Sequence, residues 1–295
     1  MPPIPAPRES GFITSTDVPL YWAAYGPVGA PRLLLLHGGP GAHHDYLLPQ
    51  MLALADDYEL VFYDQRGGGR SKTEDRAPIT WETHVGDLEL VAAELGLEPL
   101  SLVGYSWGGL LAMLYAIEAA AHRVSPMPRR LVLIDPAPVT REYRNAFEKE
   151  FARRQSSADV AQLRAELAAS DLRTRDPEAY RQRAFELSVA GYFADPAASH
   201  DLTPFRVTGR VQQSVWDSLD SYNLLKPGAL DTVRVPTLIV HGRQDPIPLA
   251  SSAAAATALG ARFVAIDGAG HVPYVEQPDV LFAAIREFLA RTALH

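Results

Sequence analysis

The chain has 295 residues, 47% hydrophobic and 21% charged, which suits a globular protein with one large domain or a core plus an insert. A formal net charge of −8 argues against nucleic acid or an anionic membrane as partner. The absence of cysteine excludes disulfides, thiolate metal sites and a cysteine nucleophile, and suits a reducing, cytoplasmic setting. Met1 to Ser10 is proline-rich without the basic and apolar regions of a secretory signal. No apolar run approaches the roughly 20 residues of a membrane span.

In chain order, residues 11–26 hold two short apolar runs around Ser15-Thr16-Asp17, which predicts an antiparallel hairpin at a sheet edge. Arg32 to Leu36 reads as a strand buried on both faces and runs into His37-Gly38-Gly39-Pro40-Gly41. A helix is expected over 43–55, then a strand from Tyr58 to Tyr63 ending in Asp64-Gln65-Arg66-Gly67-Gly68-Gly69-Arg70-Ser71. Val85, Leu88, Val91, Ala92 and Leu95 recur at helical spacing between Thr80 and Leu95. Leu100 to Val103 is a strand, and a helix follows to about Ala121; Arg130 to Ile134 is a further strand. The alternation predicts a parallel sheet with helices on both faces.

Residues 137–230 break that rhythm, with charged helical stretches such as Arg141 to Arg154 and Pro177 to Val189 and no buried strand. A helical lid inserted after a sheet strand is the expectation. The strand Thr237 to Val240, the helix Leu249 to Leu259, the strand Arg262 to Ile266 and a last helix from Pro278 to Arg291 then restore the pattern. The expected division is a core of 1–136 and 231–295 and a lid of 137–230. The expected fold class is α/β, a doubly wound and mostly parallel sheet with a helical cap inserted.

Strand, sharp turn and helix meet at Gly104-Tyr105-Ser106-Trp107-Gly108, the G-x-S-x-G spacing of an exposed nucleophilic serine. A serine on such an elbow is expected to crowd its neighbours two residues away, hence glycine at 104 and 108. Its histidine is expected at His271, in a glycine-flanked loop just past a strand. The acid is expected at Asp245, with Asp135 as the alternative, while Asp267 reads as a loop cap. Two backbone donors must stabilise the oxyanion, one from Trp107 and one from the 37–41 loop, where Gly39 is favoured. That loop has neither G-x-G-x-x-G nor a G-K-[ST] ending, so phosphate binding is disfavoured. His43-His44-Asp45 has no partner at metal-ligand spacing and reads as a solvated helix start. Neither a metal nor an organic cofactor is expected.

Together H-G-G-P-G (37–41), D-Q-R-G-G-G-R-S (64–71), G-Y-S-W-G-G (104–109), G-R-Q-D (242–245) and G-H (270–271) resemble the proline iminopeptidases. The resemblance implies the α/β-hydrolase fold and serine peptidases that release an N-terminal residue, with Ser106, Asp245 and His271 as triad and Gly39 and Trp107 as oxyanion donors. In that family, glutamates in and near the cap bind the substrate's α-amino group. The corresponding segment, Thr208 to Leu225, offers Gln212, Gln213, Asp217 and Asp220, and Pro246 follows the acid where some relatives have glutamate. The first expectation is therefore an aminopeptidase on short peptides. An esterase or amidase acting on small uncharged substrates with the same triad is the second, and a non-catalytic binding protein the third.

Overall fold

The computed structural model describes residues 4–73 and 77–292; residues 1–3, 74–76 and 293–295, which the expected core includes, lie outside the described residues. Strands β1 (Glu9–Ile13), β2 (Leu20–Tyr25), β3 (Arg32–Leu36), β4 (Glu59–Tyr63), β5 (Ser101–Tyr105), β6 (Arg130–Ile134), β7 (Thr237–Gly242) and β8 (Arg262–Ile266) form one sheet. Its order is β1-β2-β4-β3-β5-β6-β7-β8. The edge hairpin β1–β2 is antiparallel, as is β2 to β4, and every later pairing is parallel.

Buried strands with apolar residues at successive positions need cover on both faces. Leu34, Leu36, Val61, Leu102, Leu133 and Ile239 point to one side. There they pack on α1 (Trp81–Glu94), α2 (Trp107–Ala120) and α8 (Leu249–Leu259). Leu33, Leu35, Phe62, Val103, Val132 and Val240 point to the other. That side is closed by α10 (Pro278–Thr292), which short α9 (Pro273–Glu276) precedes. Helix α1 starts at a reciprocal capping box between Thr80 and Thr83.

Between β6 and β7 the chain leaves the sheet for α3 (Arg141–Gln155), α4 (Ala158–Ala169), α5 (Leu172–Arg175), α6 (Pro177–Val189) and α7 (Gly209–Ser218), with short 3₁₀ turns after α6.

The expected helix over 43–55 does not form. Two 3₁₀ turns, His44–Leu47 and Gln50–Leu54, stand in its place. Pro49 between them has no N–H to donate, and it holds Leu48 in the extended region at φ −97°, ψ 146°. Nor is this a solvated start: His44 is buried and its Nδ1 lies 2.7 Å from Asp64 Oδ1. Asp64 also accepts the N–H groups of His44 and Arg70. The first polar residue of the D-Q-R motif thus anchors the loop that follows β3.

Candidate active site

Ser106 joins β5 to α2 with φ 53° and ψ −117°, a conformation an L-residue keeps only when its surroundings impose it. Its N–H donates to the Ile134 carbonyl at 3.0 Å, and its own carbonyl accepts from Gly109 and Ala137. The glycines on either side do not clear space for the serine, as the spacing suggested. A Cβ on Gly104 would overlap the Gly108 carbonyl, and one on Gly108 would overlap the Leu36 carbonyl. They let α2 lie backbone to backbone against β5 and β3.

Ser106 Oγ is 2.9 Å from His271 Nε2, and His271 Nδ1 is 2.8 Å from Asp245 Oδ2. With Nδ1–H donating to the carboxylate, Nε2 is the atom that accepts the serine proton. Asp245 Oδ1 takes the Ile247 N–H at 2.7 Å, which fixes the carboxylate plane. Burial depresses the His271 imidazole to about 4, against the weaker raising effects of Asp135 and Glu276.

Asp135 lies behind this row rather than in it. Its Oδ1 accepts the Gly242 N–H at 2.8 Å, while its buried Oδ2 has no donor among the described residues. Burial pushes both carboxyls up, and the Asp245 charge pushes Asp135 further still. Asp245, which takes the His271 Nδ1–H and the Ile247 N–H, is the carboxylate that faces the imidazole. Asp267 is exposed and pairs with Arg243 at 2.7 Å.

Asp135, His241 and Asp245 offer ligand atoms within 4.8 Å of one another, a spacing that could hold a metal ion. Both His241 nitrogens are already engaged, Nδ1 by Ser252 Oγ at 2.9 Å and Nε2 by the Ile247 carbonyl at 3.1 Å. His241 is thus committed to hydrogen bonds that tie β7 to the Ile247 turn and to α8.

The Trp107 N–H is at the first position of α2, where no earlier helix carbonyl reaches it. In the 37–41 loop, Gly38 N–H is taken by Tyr46 Oη at 2.6 Å, and Gly39 turns with φ 57°. Gln65 ties the two together. Its amide donates to the His37 carbonyl at 2.8 Å and its Oε1 accepts the Trp107 indole N–H at 2.7 Å.

Sequence reasoning missed Tyr192 and Glu276. The Tyr192 carbonyl accepts the His271 N–H at 2.7 Å, and its ring stacks on the imidazole with centroids 5.1 Å apart. Glu276 binds the N–H groups of Gly270 and Ala194, each at 2.7 Å, and so joins the histidine loop to the helical segment. Glu276 lies five positions after His271; nothing around Tyr192 marks it.

Ser106, Trp107, Gly39 and His271 face a cavity of about 590 Å³ whose other walls come from α3, α6 and α7. Those helices contribute Phe147, Phe151, Phe185 and Trp216 to the walls. Gln212 and Gln213 line the cavity; Asp217 and Asp220 do not. Both aspartates are exposed, and Asp217 accepts from Gln213 Nε2 at 2.6 Å. Among the described residues the cavity's one carboxylate is Glu148, paired to Arg144 Nε at 2.7 Å. Neither residue stands out in the sequence, where both look like solvated positions of a charged helix.

No helix among the described residues is long and apolar enough to cross a membrane. A family model described as the alpha/beta hydrolase family matches residues 33–284. A proline iminopeptidase of Lactobacillus helveticus is 26% identical over 265 residues, covering 88% of this chain and 90% of the relative. Among solved structures, the proline iminopeptidase of Mycobacterium smegmatis superposes with a TM-score of 0.70 at 22% identity, over 97% of this chain and 99% of that one. An enol-lactonase from Burkholderia xenovorans LB400 does so with a TM-score of 0.65 at 21% identity, over 95% and 100%. At these identities the two structures speak for the fold alone, while the motif resemblance to proline iminopeptidases extends along most of the chain.

Proposed function

This chain belongs to the alpha/beta hydrolase family, and from that premise we propose that it is a serine hydrolase working through an acyl-enzyme on Ser106. The observation that carries the proposal is the hydrogen-bonded row Ser106–His271–Asp245 facing the cavity. His271 takes the Ser106 proton as Oγ attacks the substrate carbonyl, and Asp245 balances the imidazolium that forms. The oxyanion is received by the N–H groups of Trp107 and Gly39, each lowering the barrier by roughly 3 kcal/mol. His271 then returns the proton to the leaving amine or alcohol, and water repeats the sequence to free the acid. In this reading 137–230 is a lid over a core of 1–136 and 231–295, and the lid sets which acyl group fits.

The first substrate class is a short peptide with a free N-terminus, in keeping with the proline iminopeptidase relatives. The second is a small ester or amide. It is favoured by Glu148, whose charge is already matched by Arg144, so that a substrate ammonium must compete for it. A proline arylamide and its N-acetylated form separate the two. An aminopeptidase cleaves the free amine far faster, whereas equal rates, or a preference for p-nitrophenyl acetate, select the esterase. Stoichiometric fluorophosphonate labelling that vanishes in Ser106→Ala is the common requirement.

A further inference from the structure

Arg144 is the one lysine or arginine among the described residues lining the cavity that holds Ser106. Its guanidinium carbon lies over the Trp216 ring, 3.9 Å from the centroid, and Trp216 in turn packs edge-on against Trp107, the residue after the serine. Nε is bonded to Glu148. Nη1 is buried and has no acceptor among the described residues. An arginine whose only task was to cover apolar surface could keep its head in water. This one is held at 17% side-chain exposure between a ring and a carboxylate, with a terminal donor unused. A buried donor left unmade is costly, and the planar edge of a guanidinium matches two carboxylate oxygens.

We infer that Arg144 is the specificity-determining residue of the cavity and that it receives a carboxylate of the substrate on the terminal edge of its guanidinium. The inference rests on the cavity beside Ser106 being the substrate cavity. The carboxylate belongs either to the leaving group, as at the C-terminus of a dipeptide, or to the far end of the acyl group, as in the monoester of a dicarboxylic acid. Both present the same two oxygens to the fork. Glu148 tempers the site, since its charge offsets part of the attraction.

Binding to the Ser106→Ala protein tests this without any turnover, so failure of the hydrolase chemistry and failure of the inference are read separately. Titration calorimetry compares the dipeptide prolyl-alanine with its C-terminal amide, and monomethyl glutarate with methyl valerate. The acid of at least one pair should bind about tenfold tighter or more, the value of a charge-assisted contact, and the pair that responds identifies the source of the carboxylate. Adding Arg144→Gln should bring acid and neutral partner together, and Arg144→Lys, which keeps the charge and loses the fork, should retain part of the difference. Adding Glu148→Gln instead should widen it, and that exposed position leaves the fold intact. Equal binding within both pairs, or a preference that survives Arg144→Gln, overturns the inference, as does a preference unchanged by Glu148→Gln.

Discussion

His271 is a buried imidazole asked to act as a base, and burial decides where it titrates. Protonated His271 cannot accept from Ser106, so activity is lost as pH falls through its pKa. That pKa is depressed to about 4, which moves the acid limb of kcat/KM downward. At pH 5.5 an ordinary imidazole is about nine-tenths protonated, yet this enzyme should keep nearly its full kcat/KM. A limb centred near 6.5 would contradict the burial argument. The two aspartates behind the histidine should respond differently to amidation. Asp245→Asn offers an N–H where Nδ1–H needs an acceptor, and should cost about 10⁴-fold in kcat. Asp135→Asn keeps an acceptor for Gly242 and lies outside the Ser106–His271–Asp245 row, and should cost less than about tenfold. Equal losses would mean that Asp135 serves the imidazole as much as Asp245 does. Sequence order alone offered both aspartates after successive strands, because each strand end opens on the same edge of the sheet. Which one reaches His271 depends on the Gly242–Asp245 turn, and chain order does not encode that distance.

At the scale of elements, β3, α6, α8 and β8 were legible to the residue, since continuous apolar runs and helical spacing leave few alternatives. The break at Pro49 was legible in principle, for a proline lacking its N–H outweighs the helical composition around it. The packing role of the elbow glycines was not, because it depends on β3, a strand distant in sequence. Gly108→Ala tests it: the added Cβ meets the Leu36 backbone, which cannot rotate away. The expected loss is at least about 2 kcal/mol, read as a lower urea midpoint at unchanged slope, together with loss of fluorophosphonate labelling as the serine is displaced. Thr80→Ala provides the contrast. It removes the cap of α1, far along the chain from the elbow, and should cost about 1 kcal/mol with Ser106 labelling at the wild-type rate.

Over the whole molecule, burial is unevenly shared between the sheet and the helices that follow β6. Helix α2 is buried along nearly all its length, whereas α3 and α5 bury no residue fully and α4 buries only Val160. Stability against local opening follows apolar burial, so these helices should open without the sheet. Their sequence gave the same hint, for Arg141 to Arg154 reads as a charged helix. It did not reveal that Phe147 and Phe151 of that helix face the cavity and touch Tyr192, the residue that carries the His271 loop. Native-state hydrogen exchange gives the readout. Amides of α3, α4 and α5 should exchange through openings several kcal/mol cheaper than global unfolding, and those of β5, β6 and α2 only with it. A covalent acyl-enzyme mimic on Ser106 that fills the cavity should slow exchange in α3 more than in α4, because α3 supplies Arg144, Phe147, Glu148 and Phe151 to its wall. Uniform protection across all helices would mean that the segment after β6 opens only with the sheet. Protection unchanged in α3 on acylation would mean that the acyl group makes no contact with it, and the choice of substrate would then lie with α6 and α7.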